Sequence, residues 1–197
     1  MSATHVVNVT DDDFGKEFYN FLKVDSEKFI QRNIHKTHLF RYLLNYLKFH
    51  ENGLQVKTIV KEYNYTCLNF LEDYANYYAR CYTPYEKHCK RIHFFQETFD
   101  ENVFFEEMLK NDNHNHWGTY VGCIVIKPLP SGIFGITYLR PYENSKEKNR
   151  HYTCLTKKTI NLFGHDCPIT TMPFKEQDGA VGACASTALW VAFQKRR

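Results

Sequence analysis

Gln177 and Cys184 are the residues of this 197-residue chain whose types and spacing are best suited to chemistry. A cysteine thiolate is a nucleophile, and the side-chain amide of a glutamine can donate a hydrogen bond to an oxyanion. The six residues between them, 178–183, include two glycines, which allow the chain to turn tightly enough for both groups to meet. The pattern predicts a site for nucleophilic attack on a carbonyl group.

The residues that follow the turn must position the cysteine. Small and apolar side chains recur at near-helical spacing from Ala183 to Phe193, which predicts a helix that carries Cys184 in its first turn. Unpaired backbone N–H groups and the positive end of the helix dipole favour a thiolate there and lower its pKa. A backbone N–H of the same turn can point into an oxyanion hole.

A glutamine, a short glycine-rich turn, a cysteine and a buried helix of small residues together resemble the start of the catalytic domain of papain-like cysteine peptidases. The resemblance covers residues 172–193 and is closest to the bacterial branch that includes the peptidases cleaving double-glycine leader peptides. It implies that Cys184 is the nucleophile, that Gln177 is the oxyanion-hole residue, and that the substrate is a peptide or protein, with no cofactor. Two departures stand out: the family usually leaves five residues between the pair, and it places a tryptophan after the cysteine, where this chain has Ala185.

The resemblance also implies that a histidine and an Asn or Asp partner follow the cysteine, typically at a distance of ~130–150 residues. None of the 13 residues after Cys184 is a histidine. We therefore expect the N-terminal portion of a longer thiol hydrolase, peptidase or amidase, which is inactive as a 197-residue chain. Residues 1–170 would form an α+β domain of unassigned family, and residues 171–197 would begin the catalytic domain.

The alternative is a non-catalytic α+β binding or regulatory protein in which Cys184 is a buried structural residue, since free cysteine is among the most buried residue types. In either case, the apolar C-terminal helix is expected to pack on upstream strands, on a partner or on a C-terminal half beyond these residues.

Other groups of potentially reactive residues are incomplete. His165 beside Asp166 could serve as an upstream base, but it precedes the cysteine and would require a permuted arrangement. The possible metal ligands are Cys81, His88, Cys89 and His93, the pair His114 and His116, and the pair His165 and Cys167. Only the Cys89–His93 spacing fits a zinc site, so no metal is expected. The tyrosines that could stack bases, at positions 63, 65, 74, 77 and 78, are not flanked by a basic patch.

Composition excludes several classes of protein. Hydrophobic residues make up 43% and charged residues 24%, as in folded globular proteins. The net charge of +3 is small and dispersed, which argues against nucleic acid. No signal peptide and no run of ~20 apolar residues is present, so we expect no membrane association and a cytoplasmic protein. In a reducing cytosol, the seven irregularly spaced cysteines are expected to be free thiols.

The hydrophobic pattern predicts an α+β fold with a helical N-terminal half, an antiparallel β segment around 117–140 and a C-terminal helix that carries the cysteine. Helical spacing occurs over 11–50, 65–82 and 101–110, and alternation predicts strands at 56–63, 118–126 and 133–139. The last two strands read as an antiparallel hairpin or an adjacent β unit. Weaker signals for extended chain lie at 152–163 and 168–172.

Overall fold

The computed structural model describes residues 4–23, 34–48, 53–110, 115–144, 149–177, 180 and 184–194. Within these residues, five strands form one antiparallel sheet whose spatial order follows the chain. The strands are β1 (Thr4–Asn8), β2 (Thr58–Tyr65), β3 (Cys89–Phe95), β4 (Tyr120–Ile126) and β5 (Phe134–Leu139). A separate antiparallel hairpin consists of β6 (Thr156–Leu162) and β7 (His165–Thr171).

Helices lie in the connections between β1 and β2, between β2 and β3 and between β3 and β4, and a last helix follows the hairpin. They are α1 (Asp11–Leu22), α2 (His38–Leu47), α3 (Leu68–Asn76), α4 (Glu101–Lys110) and α5 (Cys184–Phe193). The side chain of Thr10 accepts a hydrogen bond from the Asp13 N–H and so caps α1, and Thr37 caps α2 in the same way. Three 3-10 turns lie at Ile34–Lys36, Tyr78–Arg80 and Asn115–Thr119.

One face of the sheet is covered by α1 and α2. Their buried aromatic rings stack, with ring centroids 5.8 Å apart for Phe14 and Phe18 and 5.5 Å apart for Phe18 and Phe40. Phe94 of β3 meets the Phe18 ring edge-on at 6.1 Å. These fully or almost fully buried rings dominate the largest apolar core of the protein.

The opposite face carries two smaller cores. The hairpin and α4 cover one of them, in which Phe95, Phe104 and Tyr120 pack against Leu162 of β6 and Cys167 of β7. Helix α3 and the 3-10 turn after it cover the other, whose buried members are Cys67, Phe70, Tyr78, Cys89, Val125 and Leu129.

An irregularity in β2 decides what lies on this second face. The pairing of β2 with β3 shifts between Glu62 and Tyr65, and Asn64 between them has a positive φ of 58°. Tyr63 consequently packs on the α1 side, 5.4 Å from the Phe21 ring, whereas Tyr65 packs in the core under α3. The bulge thereby directs the chain that leads into α3 onto the second face.

The structure confirms the α+β fold, and the antiparallel pairing of β4 with β5 confirms the expected β segment. Helix α4 matches the expected 101–110 segment, and a C-terminal helix is present. The helical N-terminal half contains strands as well, and β1 was missed because its stretch appeared only polar and acidic. This strand lies at the sheet edge and pairs only with β2, so its sequence carries little apolar signal.

Candidate active site at the start of the C-terminal helix

The described part of helix α5 starts at Cys184, the residue that the sequence places near the helix start. Gln177 is exposed and ends the described stretch that precedes the turn. Residues 178–179 and 181–183, together with the Cys184 side chain, lie outside the described residues. The predicted meeting of Gln177 with Cys184 therefore stays a prediction, while the cysteine does belong to the C-terminal helix.

The segment just before Gln177 is fixed to the sheet. Phe174 and Thr137 of β5 exchange two backbone hydrogen bonds of 2.8 and 3.2 Å. The Glu176 N–H donates to the carbonyl of Phe134 at 2.9 Å, and a Glu176 carboxylate oxygen accepts from the Phe134 N–H at 3.0 Å. This short added strand occupies the free edge of β5 and holds the backbone in place up to the residue before Gln177.

Helix α5 contacts the upstream fold at both ends. Near its start, Ser186 and Thr187 line a cavity together with residues of α3 and β5. At its end, Gln194 is buried and its carbonyl accepts a hydrogen bond of 3.2 Å from the Thr156 hydroxyl of β6. The ammonium of Lys175 lies 5.2 Å from the centre of the Trp190 ring.

Part of the apolar surface of α5 stays open. Leu189 is 55% exposed and Phe193 is 49% exposed, and Met172 of the preceding segment is 55% exposed. The helix thus packs on the upstream fold, as expected, but with one side uncovered. Large apolar side chains grouped on one surface are typical of a region that contacts further protein.

The contacts of His165 give it a packing role and do not support a role as an upstream base. Its Nε2 lies 2.8 Å from the carbonyl oxygen of Met108, and its ring lies 5.7 Å from the ring of Trp117. Asp166 instead accepts a hydrogen bond from the Asn161 side chain at 3.4 Å, so it does not orient the imidazole. These contacts make His165 a residue that packs the turn end of the hairpin onto α4.

The four residues proposed as possible metal ligands around β3 have separate partners. The Cys81 thiol donates to the Tyr77 carbonyl at 3.6 Å, and Nδ1 of His88 lies 3.5 Å from the Thr66 hydroxyl. Cys89 lies in the core under α3, whereas His93 contacts the Tyr120 hydroxyl. Within the described ranges, no group of three or more His, Cys, Asp or Glu side chains could hold a metal.

The other two candidate metal pairs give no fuller ligand set. His114 and the side chain of His116 lie outside the described residues. Cys167 is buried under the hairpin, and its thiol donates to the carbonyl of His165 at 3.9 Å rather than facing a shared ligand position with the imidazole.

A buried polar group that sequence reasoning missed spans β2, β3 and β4. His93 is fully buried, with Nδ1 3.0 Å from the Tyr120 hydroxyl and Nε2 3.4 Å from Glu62. Arg91 donates to the same Glu62 oxygen at 2.6 Å and to the carbonyl of Asn161 at 2.7 Å, which ties the hairpin to the sheet. A neutral imidazole satisfies both of its contacts if Tyr120 donates to Nδ1 and Nε2–H donates to Glu62.

The protonation states of this group follow from its burial. Burial lowers the pKa of His93 to about 4, against the opposing effect of its hydrogen bond to Glu62, so the imidazole is neutral at pH 7. Burial alone would raise the pKa of Glu62, but the hydrogen bond from His93 and the charge of Arg91 outweigh it and hold this pKa below its ordinary value. The group therefore consists of a neutral imidazole and an ion pair.

A second missed feature is a pair of buried cysteines, Cys67 and Cys89, which pack in the same small cluster under α3. They are 22 positions apart, so no local spacing reveals them. Strand alternation could have placed Arg91 and His93 on one face of β3, since they are two residues apart.

Comparisons with protein-family models, with curated proteins and with solved structures found no match. Across the part of the chain that the structure describes, no helix has the length and apolar character needed to cross a membrane.

Proposed function

We propose that this chain is the N-terminal portion of a papain-like thiol hydrolase that acts on a peptide or protein, with Cys184 as the nucleophile. The observation that carries the proposal is that the described part of α5 starts at Cys184, which agrees with a cysteine at or near the helix start. Backbone N–H groups without helical partners surround a residue at that position, and the helix dipole adds positive potential there. Both favour the thiolate over the thiol.

The fixed position of the chain before Gln177 supports its role as the oxyanion donor. The hydrogen bonds of Phe174 and Glu176 to β5 hold the backbone in place immediately before the glutamine. An oxyanion donor is effective when it is oriented before the reaction begins. The edge of β5 would thus supply part of the order that the site needs.

In the proposed reaction, the Cys184 thiolate attacks the carbonyl carbon and a C–S bond forms. Gln177 and a first-turn N–H stabilise the negative oxygen, after which the C–N bond breaks and the amine leaves with a proton from the general acid. Water then releases the acyl group. The resemblance assigns the acid–base histidine to a position C-terminal to Cys184, and the uncovered Leu189 and Phe193 are consistent with further protein beside α5.

A second candidate function, a binding module, is favoured by one observation. Four tyrosines, Tyr42, Tyr46, Tyr142 and Tyr152, line a cleft of about 150 Å³, and the rings of Tyr46 and Tyr142 are 4.2 Å apart. Clefts lined by aromatic side chains bind extended peptides and small ligands. In this case, Cys184 would be structural and would not react.

Acylation by p-nitrophenyl acetate tests the proposal without the missing general base, because p-nitrophenolate leaves without needing a proton. We expect an acetyl thioester at Cys184, located by peptide mapping, that forms faster than one at the exposed Cys154. Cys184→Ala should abolish it. Gln177→Ala should slow it at least about tenfold, toward the ~100-fold that loss of one oxyanion donor costs in complete active sites.

The matched control is Asn76→Ala, which removes an exposed amide at the end of α3 and should leave the rate unchanged. Acylation of Cys154 ahead of Cys184 would contradict the proposal and would favour the binding module.

A further inference from the structure

Cys67 and Cys89 come from separate elements and meet under α3. Cys67 is the N-cap residue of α3, and Cys89 is the first residue of β3. Cys89 pairs in register with Tyr65, two residues before Cys67, which brings the two side chains together. Both residues are buried and neither is bridged to another cysteine. Both belong to the same small buried cluster under α3.

The surroundings of the two cysteines shift their pKa values in opposite directions. The hydrogen bond from Cys89 lowers the pKa of Cys67, and the N–H groups of Phe70 and Asn69 and the charge of Arg91 lower it further, which outweighs burial. The same contact and burial raise the pKa of Cys89. The pair therefore holds a thiolate at Cys67 and a thiol at Cys89, which are the forms that attack an oxidant and then resolve the product.

A cavity open to solvent lies beside Cys67. This cavity has a volume of about 70 Å³ and lies between α3, β5 and the start of α5, with Cys67 in its lining. Lys127 and Lys175 line it as well, together with Asp73 and Glu176. A small polar oxidant can enter such a space, and Cys89 is buried in the cluster that also contains Cys67.

We propose that Cys67 and Cys89 form a peroxide-reactive dithiol, in which a hydroperoxide oxidises Cys67 and Cys89 then closes an intramolecular disulfide. In the first step, the Cys67 thiolate attacks the nearer peroxide oxygen and the O–O bond breaks. Cys67 becomes a sulfenic acid, and the departing hydroxide or alkoxide takes a proton from solvent to leave as water or an alcohol. In the second step, the Cys89 sulfur attacks the Cys67 sulfur, the S–O bond breaks, and the departing hydroxide takes the thiol proton as water. The two sulfurs together lose two electrons, which reduce the peroxide.

The pair has the features that such a cycle needs and lacks those of a metal site. Cys67 lines the cavity, and Cys89 packs in the same small buried cluster as Cys67, as a disulfide between the two residues requires. A metal would need a third ligand, and the described residues supply no group of three. The proposal is independent of the reaction proposed for Cys184.

The test uses the reduced Cys184→Ala protein, so that its outcome does not depend on the proposed hydrolase chemistry. The protein is treated with stoichiometric hydrogen peroxide at pH 6, remaining thiols are blocked with a maleimide, and peptides are mapped by mass spectrometry. We expect a disulfide between Cys67 and Cys89 as the first product. Its formation should be at least about tenfold faster than oxidation of the exposed Cys154, since an ordinary thiol is almost fully protonated at this pH.

Three variants assign the roles. Cys89→Ser should leave Cys67 as a sulfenic acid that dimedone traps, with no disulfide, whereas Cys67→Ser should abolish both products. Cys154→Ser should change neither. Oxidation of Cys154 before Cys67, or a first disulfide with any other partner, would overturn the proposal. The mapping of the protein with both cysteines intact decides the question even if a variant fails to fold.

Discussion

Replacing His93 by glutamine should remove a defined part of the acid sensitivity of this fold. His93 is fully buried and neutral, and burial lowers its pKa to about 4. In the unfolded chain, a histidine titrates near pH ~6.5. Between these two values, the unfolded state binds a proton that the folded state does not bind, so stability is present above pH ~6.5 and is lost as the pH falls toward 4.

The magnitude follows from the two pKa values. With a folded pKa of about 4 and an unfolded pKa of about 6.5, the free energy of unfolding falls by about 2 kcal/mol between pH 7 and pH 5. Glu62, whose pKa is lowered in the folded state, contributes stability that is lost only at still lower pH. Between pH 7 and pH 5, the loss of stability therefore reports on the His93 imidazole and not on Glu62.

Urea denaturation at the two pH values measures this effect. We expect the unmodified protein to lose about 2 kcal/mol more than His93→Gln on going from pH 7 to pH 5. The readout is the difference in stability between the two pH values, because this difference cancels any effect of glutamine that is the same at both. His151→Gln, which removes an exposed imidazole, is the matched control and should keep the full loss. Equal losses in the unmodified protein and His93→Gln would refute the assignment of a neutral buried imidazole.

Two further substitutions test the packing of the sheet by urea denaturation at pH 7. Gly122→Ala should cost more than about 2 kcal/mol, because Gly122 has a φ of 136° and an added Cβ would lie 2.0 Å from the Tyr138 carbonyl oxygen. Gly118→Ala is its control, because a Cβ added at Gly118 would meet no atom within 4 Å. Equal losses of unfolding free energy in the two variants would contradict the argument. Phe18→Ala should cost about 3–5 kcal/mol, since the ring is fully buried. A cost as small as that of the exposed Tyr42→Ala would contradict this placement.

Strongly periodic segments made much of the fold predictable from the sequence. The buried strand β4 and helix α4 have clear period-two and helical patterns, and both were located within about two residues. The weakly patterned β1 was not found, because an edge strand is half-exposed and its formation depends on β2, which lies fifty residues farther along the chain. The added strand at Phe174 depends likewise on a partner, the edge of β5.

The candidate sites also include one that local sequence predicts and one that depends on distant parts of the chain. The helix that carries Cys184 follows from local sequence, because small and apolar residues at helical spacing specify it without a distant partner. The contact of Cys67 with Cys89 depends instead on the bulge at Asn64, which turns the chain leading to α3 onto the second face of the sheet. Long-range register of this kind leaves no signal in residue spacing.

The pH dependence of Cys184 acylation tests the central claim most directly. The rate of acetyl thioester formation from p-nitrophenyl acetate would be followed by peptide mapping from pH 5 to pH 9, with Cys154 of the same molecule as the internal reference. A thiolate stabilised by the start of α5 predicts a midpoint for Cys184 well below the ordinary thiol pKa of about 8.5 and below the midpoint for Cys154. A midpoint at or above that of Cys154, or no adduct at Cys184 at any pH, would contradict the account.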